Sequence, residues 1–312
     1  MRPLFDSICS NIGKVIIGKD ETIRLILTSL VSGGHVLLDD VPGTGKTVLS
    51  KSLARSLNCD FSRIQFTPDL LPSDVTGLNF FHQKENEFVF KKGPVFTNIL
   101  LADEINRATP RTQSALLECM EEKQVTIDGE TRKLSAPFFV IATENPLETT
   151  GTFPLPEAQL DRFFMKLSMG TPTKDEEVLI LQRFMKNEPL QDLQPVASGD
   201  DILQAGKEAR ELYVHPVLLS YIADIAKESR EHSSILTGVS PRGSIALLHA
   251  AQSYAYIEGR DYVVPEDIKA VAEPVLAHRL VLSRAAGQQA AEREAIRRIL
   301  DTVTVPTEDW RK

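Results

Sequence analysis

The stretch Asp40-Val41-Pro42-Gly43-Thr44-Gly45-Lys46-Thr47 lies between an apolar run and a helix-forming segment that starts at Val48. A strand, a glycine-containing loop and a helix in this order predict a phosphate-binding loop, because backbone N–H groups and the helix N-terminus then face an anion. Lys46 is expected to reach the terminal phosphates, and the Thr47 hydroxyl to bind Mg²⁺. Asp40 replaces the first glycine of the usual pattern.

The composition indicates a globular protein. The chain has 312 residues, of which 42% are hydrophobic and 25% are charged, and its net charge is −8. At this length we expect about two domains, each able to bury its own core. The acidic balance argues against a dedicated binder of nucleic-acid backbone, which normally carries a basic excess. We therefore expect no nucleic-acid partner.

Cysteine and histidine usage predicts neither a disulfide framework nor a metal site. Cys9, Cys59 and Cys119 are odd in number and far apart, and the 6 histidines show no metal-ligand spacing. The first residues carry no apolar export segment, and no apolar run is long enough to span a membrane. Together with reduced thiols, this predicts a cytoplasmic location.

The first half of the chain alternates between strand and helix patterns. Strands are predicted at 35–38, 61–66, 98–102 and 138–142, and those at 98–102 and 138–142 read as buried. Uninterrupted apolar runs of this kind are typical of parallel strands covered on both faces, so the fold class is α/β with a doubly wound parallel sheet. Aromatic runs within 78–90 suggest a hairpin, and an Asp-Gly pair within 124–134 predicts another.

Beyond Gly170 the pattern becomes helical. A capping box at Thr173 to Glu176 predicts one helix start, and prolines after Ser240 and Val264 predict two more. We expect an α/β domain over residues 1–170 and a helical domain over residues 171–312.

Two carboxylates, Asp103 and Glu104, follow a predicted buried strand, where ligands bind in a doubly wound sheet. Asp103 is expected to hold Mg²⁺, and Glu104 to orient and deprotonate an attacking water. Asn145, which follows the next buried strand, offers an amide to that water or to the γ-phosphate. The alternative for Asp103 and Glu104 is a strand that simply ends in solvated acids, and the alternative for Asn145 is a turn, which Asn-Pro commonly starts.

Two arginines are further candidates. Arg162 follows Asp161 directly, and a surface ion pair between them is the simpler interpretation. Arg242 lies in the first turn of a predicted helix, where the helix dipole disfavours a cation. An anion nearby, such as a triphosphate, would explain it.

The motifs together resemble those of the AAA+ ATPases, and within them the MoxR family. The resemblance runs from about residue 15 to 280 in family order, and its motifs are highly specific. The matching segments are 39–47, 65–74, 92–96, 103–108, 142–146, 155–163 and 238–242.

The resemblance implies a role for each matching residue. Lys46, Thr47, Asp103 and Glu104 would form the ATP and Mg²⁺ site, with Asn145 as the first sensor. Arg162 matches the arginine finger that enters a neighbouring subunit's site, and Arg242 the second sensor on the lid. Ile17 and Gly18 resemble the segment that lines the adenine pocket, while the loop from Pro42 to Val48 surrounds the phosphates.

The resemblance also implies an architecture and an assembly. The fold would be an AAA+ core with a helix-2 insert and a pre-sensor hairpin, followed by an all-α lid, assembled into rings that are usually hexameric. Insert aromatics and the hairpin at 125–134 are candidate client-contacting surfaces, the alternative being that they pack against their own domain. The aromatics are Phe80, Phe81, Phe88 and Phe90.

Several functions remain open. The leading hypothesis is an ATPase that remodels, matures or activates client protein complexes. Partners with a von Willebrand A-type domain are common in the family that the chain resembles. A second is the motor subunit of a metal-insertion complex resembling magnesium chelatase. A third is an ATP-gated assembly scaffold in which hydrolysis is incidental. A DNA motor is least favoured because of the acidic charge balance.

Overall fold

The structure, a computed structural model, describes residues 1–84, 86–145, 151–185, 188–283, 288–307 and 310. Glu85 and Pro146, which belong to sequence motifs discussed above, lie outside these residues. None of the described helices combines the length and the apolarity that crossing a lipid bilayer requires.

The sheet-containing part begins with two helices and then alternates between strands and helices. Its elements are α1 (Pro3–Gly13), α2 (Asp20–Val31), β1 (Val36–Asp39), α3 (Lys46–Ser56), β2 (Phe61–Gln65), α4 (Pro72–Thr76), β3 (Gly77–His82), β4 (Glu87–Lys92), β5 (Ile99–Asp103), α5 (Pro110–Glu122), β6 (Gln124–Ile127), β7 (Glu130–Lys133), β8 (Phe139–Glu144), α6 (Glu157–Leu160) and β9 (Met165–Leu167).

Among the described residues, β2, β5, β8, β1 and β9 form one parallel sheet in that spatial order. The prediction of a doubly wound α/β fold is confirmed. In register, Gln65 pairs with Asp103, Ala102 with Ala142, and Asp39 with Glu144. The carboxyl ends of these strands therefore meet along one edge, which we call the carboxyl edge; the opposite side is the amino edge.

Both predicted hairpins are present. β3 pairs antiparallel with β4, and β6 with β7. Asp128 and Gly129 between β6 and β7 have φ values of 51° and 83°. Positive φ at both central residues is what a tight hairpin turn requires, and Asp-Gly adopts it at low cost.

The rest of the chain is mostly helical. Its elements are α7 (Lys174–Phe184), α8 (Gly199–Arg210), α9 (Pro216–Glu231), β10 (Ile235–Thr237), α10 (Pro241–Ile257), α11 (Pro265–Leu276), β11 (Val281–Leu282) and α12 (Gln288–Thr302). The predicted caps form, since Thr173 Oγ1 accepts from Glu176 N–H and Ser240 Oγ accepts from Gly243 N–H. The antiparallel pair β10–β11 is an addition to the predicted helical lid.

The buried side chains form one cluster on each face of the sheet. One face packs against α5 with residues such as Leu100, Val140 and Leu116. The other packs against α1–α3 and also against the lid helices, so that Val36 and Ile268 belong to one cluster. The sequence predicted that each domain would bury its own core, but the helical part shares one cluster with the sheet. The boundary at residue 170 stays a prediction.

Candidate functional site

The predicted phosphate-binding loop connects β1 to α3 at the carboxyl edge. Gly43 and Gly45 have φ values of 87° and 88°, and no atom lies within 4 Å of where a Cβ would stand on either. Gly45 precedes α3, and none of the described side chains caps that helix. The helix N-terminus and the loop amides thus form a surface suited to an anion, and L side chains at these positions would obstruct it.

Lys46 and Thr47 open α3. The Lys46 ammonium donates to the carbonyl oxygens of Asp40 at 2.8 Å and Val41 at 3.3 Å. These acceptors are neutral, so a phosphate oxygen would bind the ammonium more strongly than the carbonyls do. Thr47 is half-buried directly beside it.

Asp103 ends β5 with its carboxylate held on both oxygens. Thr143 Oγ1 donates to Oδ1 at 2.7 Å, and the Arg63 guanidinium binds Oδ2 at 2.7 Å. Arg63 is 46% exposed, so this ion pair is weakened by solvent and adds little stability. A cation at Oδ2 would compete with Arg63.

Glu104 is the next residue and adopts a left-handed backbone, with φ of 55°. A non-glycine residue in that conformation costs on the order of 1 kcal/mol and is common at functional sites. Its N–H donates to Thr143 Oγ1 at 2.9 Å. Its carboxylate accepts from Gln65 Nε2 at 2.8 Å and from Arg107 Nη1 at 3.2 Å. Thr143 thus fixes both acidic residues through one hydroxyl.

Asn145 follows β8 and is 5% exposed. The main chain beside it touches the phosphate loop, because Asp40 N–H donates to Glu144 O at 3.4 Å. The structure therefore places Asp103 and Asn145 at neighbouring strand ends on the carboxyl edge, beside the loop that connects β1 to Lys46.

A buried charge cluster lies next to this edge. Lys166 Nζ is 2.8 Å from Asp39 Oδ2 and 4.0 Å from Glu144 Oε2. Burial raises the pKa of Glu144 to about 7, opposed by the positive charge of Lys166 and reinforced by the negative charge of Asp39.

Gly18 and Ile17 lie beside the start of the lid. Gly18 has φ of 69°, and a Cβ there would stand 1.8 Å from Glu176 Oε1. Ile17 is half-buried. Their adenine-binding role stays a prediction.

Arg162 and Arg242 meet on Glu121. Arg162 Nη1 lies 3.3 Å from Glu121 Oε2, and Arg242 Nη2 lies 3.4 Å from Glu121 Oε1. The simple pair of Arg162 with Asp161 considered from the sequence is not what the structure shows, because Asp161 binds Arg279 at 2.7 Å instead. Burial lowers the pKa of Arg279 to about 10, although the Asp161 carboxylate raises it.

These arginines lie on the amino edge of the sheet. They line a cavity of about 270 Å³ together with His35, which precedes β1. The cavity is rich in cations: Lys123, Arg162, Arg210, Arg242 and Arg279 all contribute to its wall. Since Lys46 follows the other end of β1, the structure does not bring Arg162 or Arg242 to their own phosphate loop.

Known proteins match this chain along most of its length. The family model of the ATPase family associated with various cellular activities (AAA) matches residues 35–165, and that of the AAA lid domain matches residues 227–299. A Mycobacterium tuberculosis protein named Chaperone MoxR1 is 43% identical over 303 residues, covering 94% of this chain and 80% of that protein. The chain belongs to the MoxR family of AAA ATPases. It binds nucleotide and hydrolyses ATP to ADP and phosphate.

Two further proteins match nearly the whole chain. The Bacillus subtilis protein YeaC, itself uncharacterised, is 48% identical over 309 residues, covering 99% of this chain and 97% of that protein. A solved structure of a candidate ATPase from Cytophaga hutchinsonii superposes with a TM-score of 0.89 at 41% identity, covering 98% of this chain and 96% of that one.

The two hairpins of this MoxR-family chain are tied together. Asn79 Nδ2 donates to Asp128 Oδ2 at 2.7 Å, and the Arg132 guanidinium lies 4.2 Å from the centre of the Phe90 ring. Phe90 thus packs inward, whereas Phe81 and Phe88 are 47% and 73% exposed. We call β3–β4 and β6–β7 together the hairpin pair.

Sequence reasoning missed several residues of the site. Gln65 had a usable signal, since it ends the strand beside Asp103. Thr143 lies within the matching segment 142–146, but the sequence analysis predicted no role for it. Arg63, Lys166 and Glu121 carried no local signal, because their partners lie far along the chain.

Proposed function

We propose that the carboxyl edge of the sheet is the ATP site of this MoxR-family ATPase. The observation that carries the proposal is that Asp103, Glu104 and Asn145 lie at neighbouring strand ends, beside the loop that connects β1 to Lys46. Lys46 and the loop amides bind the phosphates. Glu104 orients the attacking water and takes its proton.

Mg²⁺ belongs to the same proposal, because Thr47 and Asp103 offer the oxygen ligands that this ion prefers. The chemistry it supplies when bound is neutralisation of phosphate charge. Asn145 polarises the water or contacts the γ-phosphate, and Gln65 with Arg107 holds the Glu104 carboxylate until substrate arrives.

The amino edge supplies the second half of the site to a neighbouring subunit. Arg162 and Arg242 face away from their own phosphate loop but share one carboxylate, Glu121. A head-to-tail ring, which we propose to be a hexamer, places this edge against the neighbour's nucleotide. Both arginines then stabilise the charge that develops during phosphoryl transfer.

ATP turnover in such a ring serves to remodel, mature or activate client protein complexes. Phe81 and Phe88 support this, because exposed aromatic rings on the hairpin pair are a ready protein-binding surface. A client with a von Willebrand A-type domain is the partner we expect. A cytoplasmic location fits the free thiols of Cys9, Cys59 and Cys119.

The test uses Glu104→Gln, which should bind ATP but not hydrolyse it, with Glu231→Gln on the exposed end of α9 as a matched control. Glu104→Gln with ATP and Mg²⁺ should retain client protein, and the same variant carrying Phe81→Ser and Phe88→Ser should not. Full turnover by Glu104→Gln would refute the assigned base. Equal client retention with and without the two aromatic rings would refute the proposed binding surface.

A further inference from the structure

Asp40, which replaces the usual first glycine, is buried and points its carboxylate at the segment that follows β9. It is 6% exposed. Its Oδ1 accepts from Ser168 Oγ at 2.6 Å and from Gly170 N–H at 3.1 Å, and its Oδ2 accepts from Met169 N–H at 2.7 Å. These bonds satisfy a buried charge that would otherwise be costly.

The segment that Asp40 holds joins the sheet to the lid, since β9 ends at Leu167 and α7 begins at Lys174. It also touches the predicted adenine-binding stretch. Lys19 Nζ donates to Thr171 O at 3.4 Å, and Glu176 at the start of α7 lies against Gly18. We call residues 168–176 the connecting segment.

The main chain of Asp40 is bound from the other side. Its carbonyl oxygen accepts from the Lys46 ammonium at 2.8 Å. One residue therefore links the phosphate-binding lysine, through its carbonyl, with the connecting segment, through its carboxylate. A glycine at this position would keep the first link and lose the second.

We propose that Asp40 is a positioning residue that couples phosphate binding by Lys46 to the placement of the connecting segment and so of the lid. The inference rests on the proposed function, in which Lys46 binds phosphate. When phosphate binds, the Lys46 ammonium donates to it instead of to the carbonyl oxygens of Asp40 and Val41. The released loop main chain moves with the Asp40 carboxylate, and the connecting segment follows.

The experiment measures amide hydrogen exchange in a peptide covering residues 168–176 of the full chain, with and without ADP, alongside ADP affinity and the kcat and KM for ATP. In the natural protein, ADP should change the exchange of this peptide. Asp40→Gly should abolish that change and lower the protection of the Met169 and Gly170 amides by about tenfold, the equivalent of one charge-assisted hydrogen bond. Asp40→Asn should give an intermediate response, and Asp60→Asn at the amino edge none.

The outcomes separate the inference from the proposed function. If Lys46→Ala binds ADP as well as the natural protein, the phosphate role of Lys46 is wrong. If Lys46→Ala loses ADP but Asp40→Gly shows the natural exchange response to ADP, the coupling is wrong while the ATP site stands. Should Asp40→Gly not fold, Ser168→Ala removes the 2.6 Å bond to Asp40, together with the longer bond that Ser168 Oγ accepts from Gly170 N–H at 3.2 Å, and must reduce the response. An unchanged response overturns the coupling.

Discussion

Mixing inactive variants tests whether Arg162 and Arg242 both act in the neighbouring subunit. In the structure they share Glu121 at 3.3 and 3.4 Å, on the amino edge, whereas Glu104 lies on the carboxyl edge. Each ring site would therefore take Glu104 from one protomer and both arginines from the next. Alone, Arg162→Ala should lower turnover by about 10³ to 10⁵-fold and Glu104→Gln by about 10² to 10⁴-fold.

The head-to-tail arrangement determines how much turnover a mixture of two inactive variants should recover. In an equimolar random mixture of Glu104→Gln and Arg162→Ala, a site is intact only where an unchanged Glu104 meets an unchanged Arg162. Because the interface is heterologous, that combination arises at about a quarter of the sites. Turnover, measured as phosphate release, should recover to about a quarter of the natural rate. If Glu104→Gln is mixed instead with a protein that carries both Arg162→Ala and Arg242→Ala, turnover should again recover to about a quarter of the natural rate.

A mixture of Arg162→Ala with Arg242→Ala discriminates further. If both arginines come from one protomer, no site receives both, and turnover stays low. If Arg242 acted in its own protomer, about a quarter of the sites would be complete, and that recovery would refute our reasoning. Lys227→Ala, at an exposed position of α9, serves as the control and should leave every mixture unchanged.

Three further predictions concern stability, the metal and assembly. His35 is buried, with Nε2 donating to Met120 O and Nδ1 accepting from Val140 N–H, and burial lowers its pKa to about 4. The free energy of unfolding should therefore be fully retained above about pH 6.5 and fall by about 3 kcal/mol as pH drops to about 4. Urea unfolding of His35→Gln should lack this dependence on pH, and an equal dependence in the variant would show that His35 does not cause it. Arg63→Gln should lower the Mg²⁺ concentration for half-maximal turnover by up to about fivefold, as an exposed ion pair allows, and a higher requirement would show that Arg63 does not compete. Turnover per subunit should rise with protein concentration until rings form, and a flat profile from monomers would exclude shared sites.

Much of the site was predictable because its signals are local. The glycines and Lys46 stand within eight residues, and the acids Asp103 and Glu104 follow a buried apolar run. Parallel strands bring such loop residues to one edge by topology alone. The Asp-Gly hairpin is equally local, because its turn needs only the φ preferences of two residues.

What the sequence did not predict depends on distant partners. Glu121 forms ion pairs with Arg162 and Arg242, which lie far from it along the chain, so no residue spacing predicts these contacts. The dipole argument for Arg242 correctly indicated an anion, but the anion in the structure is a carboxylate. β9 was missed because three residues are too few for a pattern.

The cluster that Val36 shares with Ile268 has a consequence for protein engineering. Because sheet and lid bury their side chains together, transplanting the helical half of a homologue onto this sheet would leave mismatched shapes at the seam. Of the described residues of the hairpin pair, by contrast, only Val125 is a buried member of either cluster. Chimaeras designed to redirect recognition should therefore exchange those two loops and leave the remainder of the chain intact.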